Sequence, residues 1–317
     1  MLLYASFLLV GLFLFELFYF RLARKYSIVD VPNHRSSHKG EVIRGGGVLF
    51  FTAAITASLK IEDSYGFFYL GLFLISTISF IDDIKPQSSL IRIIVHLLSV
   101  LLLLYEVRVF DLPSWYIVPL IIITIGTINA FNFMDGINGM TGLYSLVLFS
   151  QLIYINEVVF EFIESEFLVS LCIASLVFLY FNYRKKAVCF AGDVGSVSFA
   201  FVSIFFVYKL IISTNNFIWI LLFLVYGIDS VFTIIYRIYR KQNIFSPHRT
   251  HLYQQLVNEM QHSHRVVSFV YALLQLFFNA ILVYTYLNSQ YIYVVVFISL
   301  YIGLYLYCRH FYVKVPR

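Results

Sequence analysis

Residues 1–25 read MLLYASFLLV GLFLFELFYF RLARK. The apolar stretch from 2 to 20 is the length that crosses a bilayer core, which takes about 20 apolar residues as a helix. No Lys or Arg precedes it, and Arg21, Arg24 and Lys25 follow it. A cleavable signal peptide carries its positive charge on the other side. The stretch therefore reads as an uncleaved first span with the N-terminus outside. Ten further apolar segments follow, at roughly 46–59, 66–81, 91–105, 115–130, 141–156, 167–182, 197–212, 217–236, 266–286 and 290–308. The connectors at 60–65 and 212–217 are minimal and predict tight helical hairpins. No fixed-period repeat interrupts the series. The fold class expected is all-α: one polytopic integral membrane domain over 1–317, with about eleven transmembrane helices and active-site loops in the cytoplasm.

Composition agrees. The 317 residues are 61% hydrophobic and 12% charged, with 34 Phe and 25 Tyr, against roughly 45–50% and about 25% in soluble proteins. A water-soluble globule cannot hide that much apolar surface, and a disordered chain would not contain it. Cys172, Cys189 and Cys308 suggest no disulfide framework. The formal charge of +5 could hint at nucleic acid, but its distribution explains it otherwise. With eleven alternating spans, 19 Lys and Arg fall in the cytoplasmic segments and only Lys60, Arg108 and Lys209 outside. That is the positive-inside pattern, so no nucleic-acid partner is expected. Glu62, Asp63 and the glutamates of 157–166 fall outside. Asp30, Asp82, Asp83, Asp135, Asp193 and Asp229 fall on or near the cytoplasmic side, none at a bilayer midplane. A proton- or ion-coupled transporter would show midplane carboxylates or matching half-chain repeats. Carboxylates gathered at one face fit an enzyme that takes a charged, water-soluble substrate.

Five cytoplasmic stretches hold the chemistry. The first runs Asp30-Val-Pro-Asn-His-Arg-Ser-Ser-His-Lys-Gly and on to Arg44-Gly-Gly-Gly. Glycines opening a helix leave N–H groups bare for a phosphate, so Arg35, His38, Arg44 and Gly46 are candidate substrate contacts. The second, Phe80-Ile-Asp82-Asp83-Ile-Lys-Pro, ends a span with adjacent carboxylates that diverge by about 100° on a helix and so should do different jobs. Anions at a helix C-terminus are disfavoured, so something must compensate them. The third, Asn129-Ala-Phe-Asn132-Phe-Met-Asp135-Gly-Ile-Asn138-Gly-Met-Thr141-Gly, places a polar residue at every third position, with groups able to bind a diphosphate, metal or sugar. The fourth, Phe190-Ala-Gly-Asp193-Val-Gly-Ser196, sets a carboxylate in a Gly-rich helix start, which suits Mg²⁺ carrying substrate phosphates. The fifth, Ser246-Pro-His248-Arg249-Thr-His251-Leu-Tyr253-Gln-Gln, predicts a helix start at Ser-Pro with His248 and His251 on one face. It lacks a complete zinc set and reads as a phosphate or nucleotide contact. His96 and His310 read as structural.

With all five in this order, the chain from about Asp30 to His264 resembles the polyprenyl-phosphate N-acetylhexosamine-1-phosphate transferases. The resemblance implies transfer of sugar 1-phosphate from a UDP-sugar to undecaprenyl phosphate, with release of UMP, at the face of a bacterial inner membrane. It implies Mg²⁺, with Mn²⁺ as a substitute, and Asp193 as the metal-associated residue. Asp82 and Asp83 match the family's paired aspartates, Asp135 the Asn-x-x-Asn-x-x-Asp-Gly aspartate, and His251 the first histidine of its C-terminal loop. Asn138 stands where members often carry Asp, and Tyr253-Gln254 where many continue with histidines. The versions Arg-Ser-Ser-His and His-Arg-Thr-His-Leu-Tyr-Gln resemble the branch that starts O-antigen (lipopolysaccharide) on N-acetylated 6-deoxyhexosamines, such as the fuco or quinovo sugars. Such a sugar presents a methyl group, for which Phe131, Phe133, Met134 and Tyr253 could form an apolar wall. The alternatives are UDP-N-acetylglucosamine as donor and, in another class, a transporter. Asp82 or Asp83 could be base or metal ligand, and direct attack and a covalent aspartyl-phosphate both stay open, as does a homodimer.

Overall fold

The computed structural model describes residues 1–31, 40–60, 65–244, 246 and 248–311. Among these the chain is helical apart from one short antiparallel ladder, β1 (Val29–Asp30) with β2 (Val42–Ile43). The helices are α1 (Leu2–Lys25), α2 (Val48–Ala57), α3 (Gly66–Ile84), α4 (Ser89–Glu106), α5 (Ile117–Met134) and α6 (Met140–Tyr154). They continue as α7 (Ser165–Asn182), α8 (Gly192–Thr214), α9 (Leu224–Tyr239), α10 (Leu252–Asn258), α11 (His264–Asn288) and α12 (Ile292–Phe311). A π-helical turn, Ile155–Val159, extends α6, and a 3-10 segment, Phe217–Phe223, leads into α9.

Ten of the expected eleven segments are helices long and apolar enough to span a membrane, among the described residues. The exception is the second. Its helix, α2, has ten residues, about 15 Å at 1.5 Å per residue, or half a bilayer core. Its buried residues, Leu49, Phe50, Ala53, Ala54 and Ala57, pack against α7 and α8. Hydropathy reads this interior half-helix as a span because both are apolar all round.

The alternation of chain direction nevertheless holds. At one end of the bundle, Phe67 and Phe68 at the start of α3 donate backbone N–H bonds to Glu106 at the end of α4, and the Tyr65 hydroxyl donates to Glu164. At the other end, the C-terminus of α3 meets the N-terminus of α8, and Arg309 of α12 reaches the Thr250 carbonyl.

Helix α8 is the axis. Its sequence offers small or apolar side chains around the full circumference, and every residue from Val194 to Tyr208 is buried. It packs against α2, α3, α5 and α6. Phenylalanine stacking locks these contacts, with Phe205 on Phe68 at 4.1 Å between ring centroids and Phe199 between Phe50 and Phe131 at 5.4 and 5.2 Å. Its N-terminus, which carries Asp193, is thereby fixed against the ends of α3 and α5.

Candidate active site

The two carboxylates that end α3 point to different partners, as helix geometry requires. Asp83 is buried against the first turn of α8, where the backbone N–H groups of Asp193 and Val194 each donate to it at 2.9 Å. Arg44 Nε pairs with it at 2.8 Å. Asp82 faces the other way and accepts from Gln87 N at 2.6 Å and Arg92 Nη1 at 3.1 Å. The unfavourable C-terminal dipole of α3 is thus offset by two guanidinium groups and the positive end of another helix.

Arg44 is held by the glycines that follow it, in a way that corrects the sequence reading. The N–H of Gly46 donates to the Phe190 carbonyl at 2.9 Å and that of Gly47 to Ala191 at 3.0 Å, while Ile43 bridges Cys189. These amides are spent on the 189–191 segment and are not bare toward a phosphate. The glycines serve close packing instead. A Cβ on Gly46 would fall 2.6 Å from Cys189 Sγ and 2.8 Å from Glu16 Oε1. Gly192 has φ +72°, and a Cβ there would meet Asp83 Oδ2 at 2.5 Å. Glycine is what lets the Arg44 loop and the start of α8 share one carboxylate.

Asp193 stands at the mouth of this cluster. Its two oxygens lie 3.7 Å from Arg44 Nη2 and 3.9 Å from Arg92 Nη2, loose contacts beside the saturated Asp82 and Asp83. Among the described residues no three His, Cys, Asp or Glu side chains are arranged to hold a metal by themselves. A divalent cation such as Mg²⁺ needs only one or two carboxylates, and the loosely paired Asp193 is the residue here that could offer it an oxygen.

The third stretch straddles a helix break. α5 stops at Met134, residues 135–139 turn, and α6 begins at Met140. Asp135 is half-buried and accepts from the Thr141 hydroxyl at 2.5 Å. Burial, above all, raises its pKa to about 7, and the like charges of Asp193 and Asp83 add to the shift. Asn132 accepts from Ser196 at 2.8 Å and ties α5 to α8. Asn138 is buried: its N–H donates to His264 Nδ1 at 3.3 Å and its amide to the Arg184 carbonyl at 2.9 Å, while its Oδ1 is unpaired. Asn129 is exposed on α5 and no hydrogen bond joins it to the carboxylates. Arg35 and His38 lie outside the described residues.

In the fifth stretch, helix α10 begins at Leu252 rather than at Ser246, with His251 as its N-cap residue. Pro247 lies outside the described residues. His248 and His251 still meet, with rings stacked at 5.1 Å, and Phe133 lies 6.1 and 6.2 Å from them. Burial, with the neighbouring His251 and the arginines Arg237 and Arg309, lowers the pKa of His248 to about 4. Arg249 is half-buried between them. Of the aromatic wall expected for a 6-deoxy sugar, only Phe133 is exposed. Phe131 and Met134 are core residues, and Tyr253 is buried with its hydroxyl donating to the Phe133 carbonyl at 2.7 Å.

Residues 65–211 match the family model for glycosyl transferase family 4. The match spans 147 of the 317 residues, and over that stretch the chain is similar to that family. It is 25% identical over 257 residues to a probable undecaprenyl-phosphate N-acetylglucosaminyl 1-phosphate transferase of Bacillus subtilis, covering 75% of this chain and 72% of that protein. It is 27% identical to a phospho-N-acetylmuramoyl-pentapeptide-transferase of Thermotoga petrophila, over 61% of this chain and 70% of that one. An undecaprenyl-phosphate alpha-N-acetylglucosaminyl 1-phosphate transferase of Yersinia pestis is 26% identical over 78% of this chain and 76% of its own.

The glycosyl transferase family 4 match contains Asp82, Asp83, Asp135 and Asp193 and leaves out Arg44 and the histidine segment. Arg44 reaches Asp83 and Asp193 only through the fold. Three more polar residues hold this region together, and the sequence alone assigns none of them a role. Arg92, a lone cation inside an apolar run, carried a usable signal. Asn182, which accepts from Gly139 N at 2.6 Å and donates to the Cys189 carbonyl at 2.9 Å, and Asp229, treated below, carried none beyond being polar within a span.

Proposed function

We propose that the protein transfers N-acetylhexosamine 1-phosphate from a UDP-sugar to undecaprenyl phosphate and releases UMP, at the cytoplasmic face of the membrane. The observation that carries this reading is the cluster of Asp83, Arg44, Asp193 and Arg92 at the N-terminus of α8. It joins two fixed cations, a helix N-terminus and one loosely paired carboxylate at the end of a membrane bundle. Two anionic phosphates can meet only where their charge is neutralised. The names of the relatives support the substrates, and the basic excess at this end of the chain supports the orientation.

In this reading an oxygen of the lipid phosphate attacks the sugar-linked phosphorus, and the bond from that phosphorus to the UMP oxygen breaks. Asp193 would hold Mg²⁺, which when bound would supply charge neutralisation to the diphosphate. Asp82 and Asp83 hold Arg92 and Arg44 toward the phosphates. Asp135, with its pKa near neutrality, is suited to take a proton from the lipid phosphate. His248, Arg249 and His251 contact the nucleotide phosphates. The reading is tested by incubating the purified protein with Mg²⁺, UDP-N-acetylglucosamine and undecaprenyl phosphate. Release of UMP with formation of the lipid diphospho-sugar is expected. No release with this donor or with a UDP-N-acetyl-6-deoxyhexosamine would overturn it.

A 6-deoxy donor is the second reading, and the exposed Phe133 beside His248 and His251 favours it. One apolar contact discriminates a methyl from a hydroxyl by at most ~10²-fold. Competition of the two donors for one undecaprenyl phosphate pool measures the preference, and equal use would leave N-acetylglucosamine as the working donor.

A further inference from the structure

Asp229 is fully buried in the middle of α9, ten residues before the last residue of that helix. That is ~15 Å along the axis, deeper than the edge position expected from sequence. The histidine segment folds back to meet it. A buried carboxylate must be hydrogen-bonded, and the donors here come from four helices. Leu252 N, Tyr253 N and the Tyr271 hydroxyl donate at 3.0, 3.4 and 2.7 Å. The Thr233 and Tyr305 hydroxyls donate at 3.2 Å each. Arg309 donates to Tyr305 Oη at 2.6 Å and to the Thr250 carbonyl at 3.0 Å. Helix α12, whose surface is otherwise mostly exposed and apolar, thus places Tyr305 and Arg309 on the same segment.

His251 is the residue this arrangement holds. Its side chain is 3% exposed, with Nδ1 3.4 Å from Asp229 Oδ1. Both ring nitrogens are buried and neither makes a hydrogen bond of good geometry, so Asp229 is the polar group Nδ1 approaches and Nε2 is unpartnered. A carboxylate accepts and does not donate, so a ring nitrogen facing it carries the proton. Nε2 points away from Nδ1 across the ring, and the ring centroid lies 6.2 Å from that of Phe133, two residues before Asp135. At 3.4 Å the contact is long for a hydrogen bond, as those of catalytic groups often are before substrate binds.

We propose that Asp229 is a positioning residue for His251, accepting its Nδ1–H and so presenting Nε2 to a phosphate oxygen of the nucleotide-sugar. The inference rests on the reading that His251 touches donor phosphates. Asp229→Asn keeps the size and most hydrogen-bonding capacity of the side chain and removes its charge. It should lower kcat by about 10-fold or more, within the range of coupling between contacting polar groups, and leave KM for undecaprenyl phosphate unchanged. The variant carrying both Asp229→Asn and His251→Asn should be no slower than His251→Asn alone. Losses that multiply, or an unchanged kcat in Asp229→Asn, would overturn the proposal.

A second measurement needs neither turnover nor the Asp229→Asn variant. Nitrogen-15 spectra of the wild-type protein with labelled histidine, with the His251 signal identified by its loss in His251→Asn, should show the proton on Nδ1. A ring with bare Nδ1 would overturn the pairing. Wild-type protein that releases no UMP would overturn the assigned reaction while leaving this spectrum to decide the Asp229–His251 pair.

Discussion

The two ends of α3 carry carboxylates to opposite purposes. At its start, Glu106 accepts from Phe67 N and Phe68 N at 2.8 and 3.1 Å, where the helix dipole favours an anion and bare N–H groups need acceptors. At its finish, Asp82 and Asp83 sit where the dipole disfavours them, and cations from two other parts of the chain hold them there. The first arrangement lowers the energy of the fold by itself. The second concentrates charge and has to be compensated by Arg44, Arg92 and the start of α8, the pattern of a site prepared for anionic ligands and a cation. The comparison makes a general rule usable: an acid that caps the nearest helix start is structural, and an acid that needs imported cations is a candidate for chemistry.

The largest effect that would sharpen this contrast is at Asp193. Asp193→Asn should reduce turnover by ~10²–10³-fold or more, the scale of losing one preorganised electrostatic contact, while the protein still inserts and purifies normally. Excess chelator should do the same to the wild type, with activity restored by Mg²⁺ or Mn²⁺. Full activity in either experiment would break the distinction between the two ends. Arg44→Lys comes next. It keeps a charge but loses the planar fork that reaches Asp83 and Asp193 together, so a loss of about 10-fold or more in kcat is expected, and wild-type kcat would remove Arg44 from the site.

The pH dependence gives a smaller effect of definite sign. Asp135 has its pKa raised to about 7, so its carboxyl is mostly protonated at pH 6 and mostly ionised at pH 8. A base must be ionised, so kcat/KM should rise with pH through about 7 and level off above it. In Asp135→Asn the residual rate should lack that limb. A rate that falls over the same interval would exclude Asp135 as the base.

How much of this was legible in the sequence depended on how far apart the partners lie. The apolar runs gave the helices because span length is a local property, and the divergence of Asp82 and Asp83 followed from one helix's geometry. The same locality misread α2, since a buried half-helix and a span share a hydropathy. Gly46 reads as open to phosphate in the sequence because its amide's acceptor, Phe190, lies 144 positions away and nothing near Gly46 announces it. Phe131, Met134 and Tyr253 looked like a wall because the motif they flank is polar, yet α5 turns the first two inward and Tyr253 is folded beneath the helix break. Asp229 read as one more acid near a membrane edge until α10, α11 and α12 supplied its donors.

The smallest predicted effect is the control that gives the others their meaning. Glu106→Gln removes the charge at the start of α3 but leaves an amide oxygen, a weaker acceptor, in place of the one carboxylate oxygen that both N–H groups share. The cost to stability should be about 1 kcal/mol, the scale of a weakened helix cap, seen as a small drop in the thermal midpoint of the purified protein. Turnover and metal dependence should match the wild type, because Glu106 lies at the opposite end of the bundle from Asp193. If Glu106→Gln instead lost activity as Asp193→Asn does, with its midpoint unchanged, the far end of α3 would be part of the reaction. The carboxylates could then no longer be sorted by whether a helix start or an imported cation holds them.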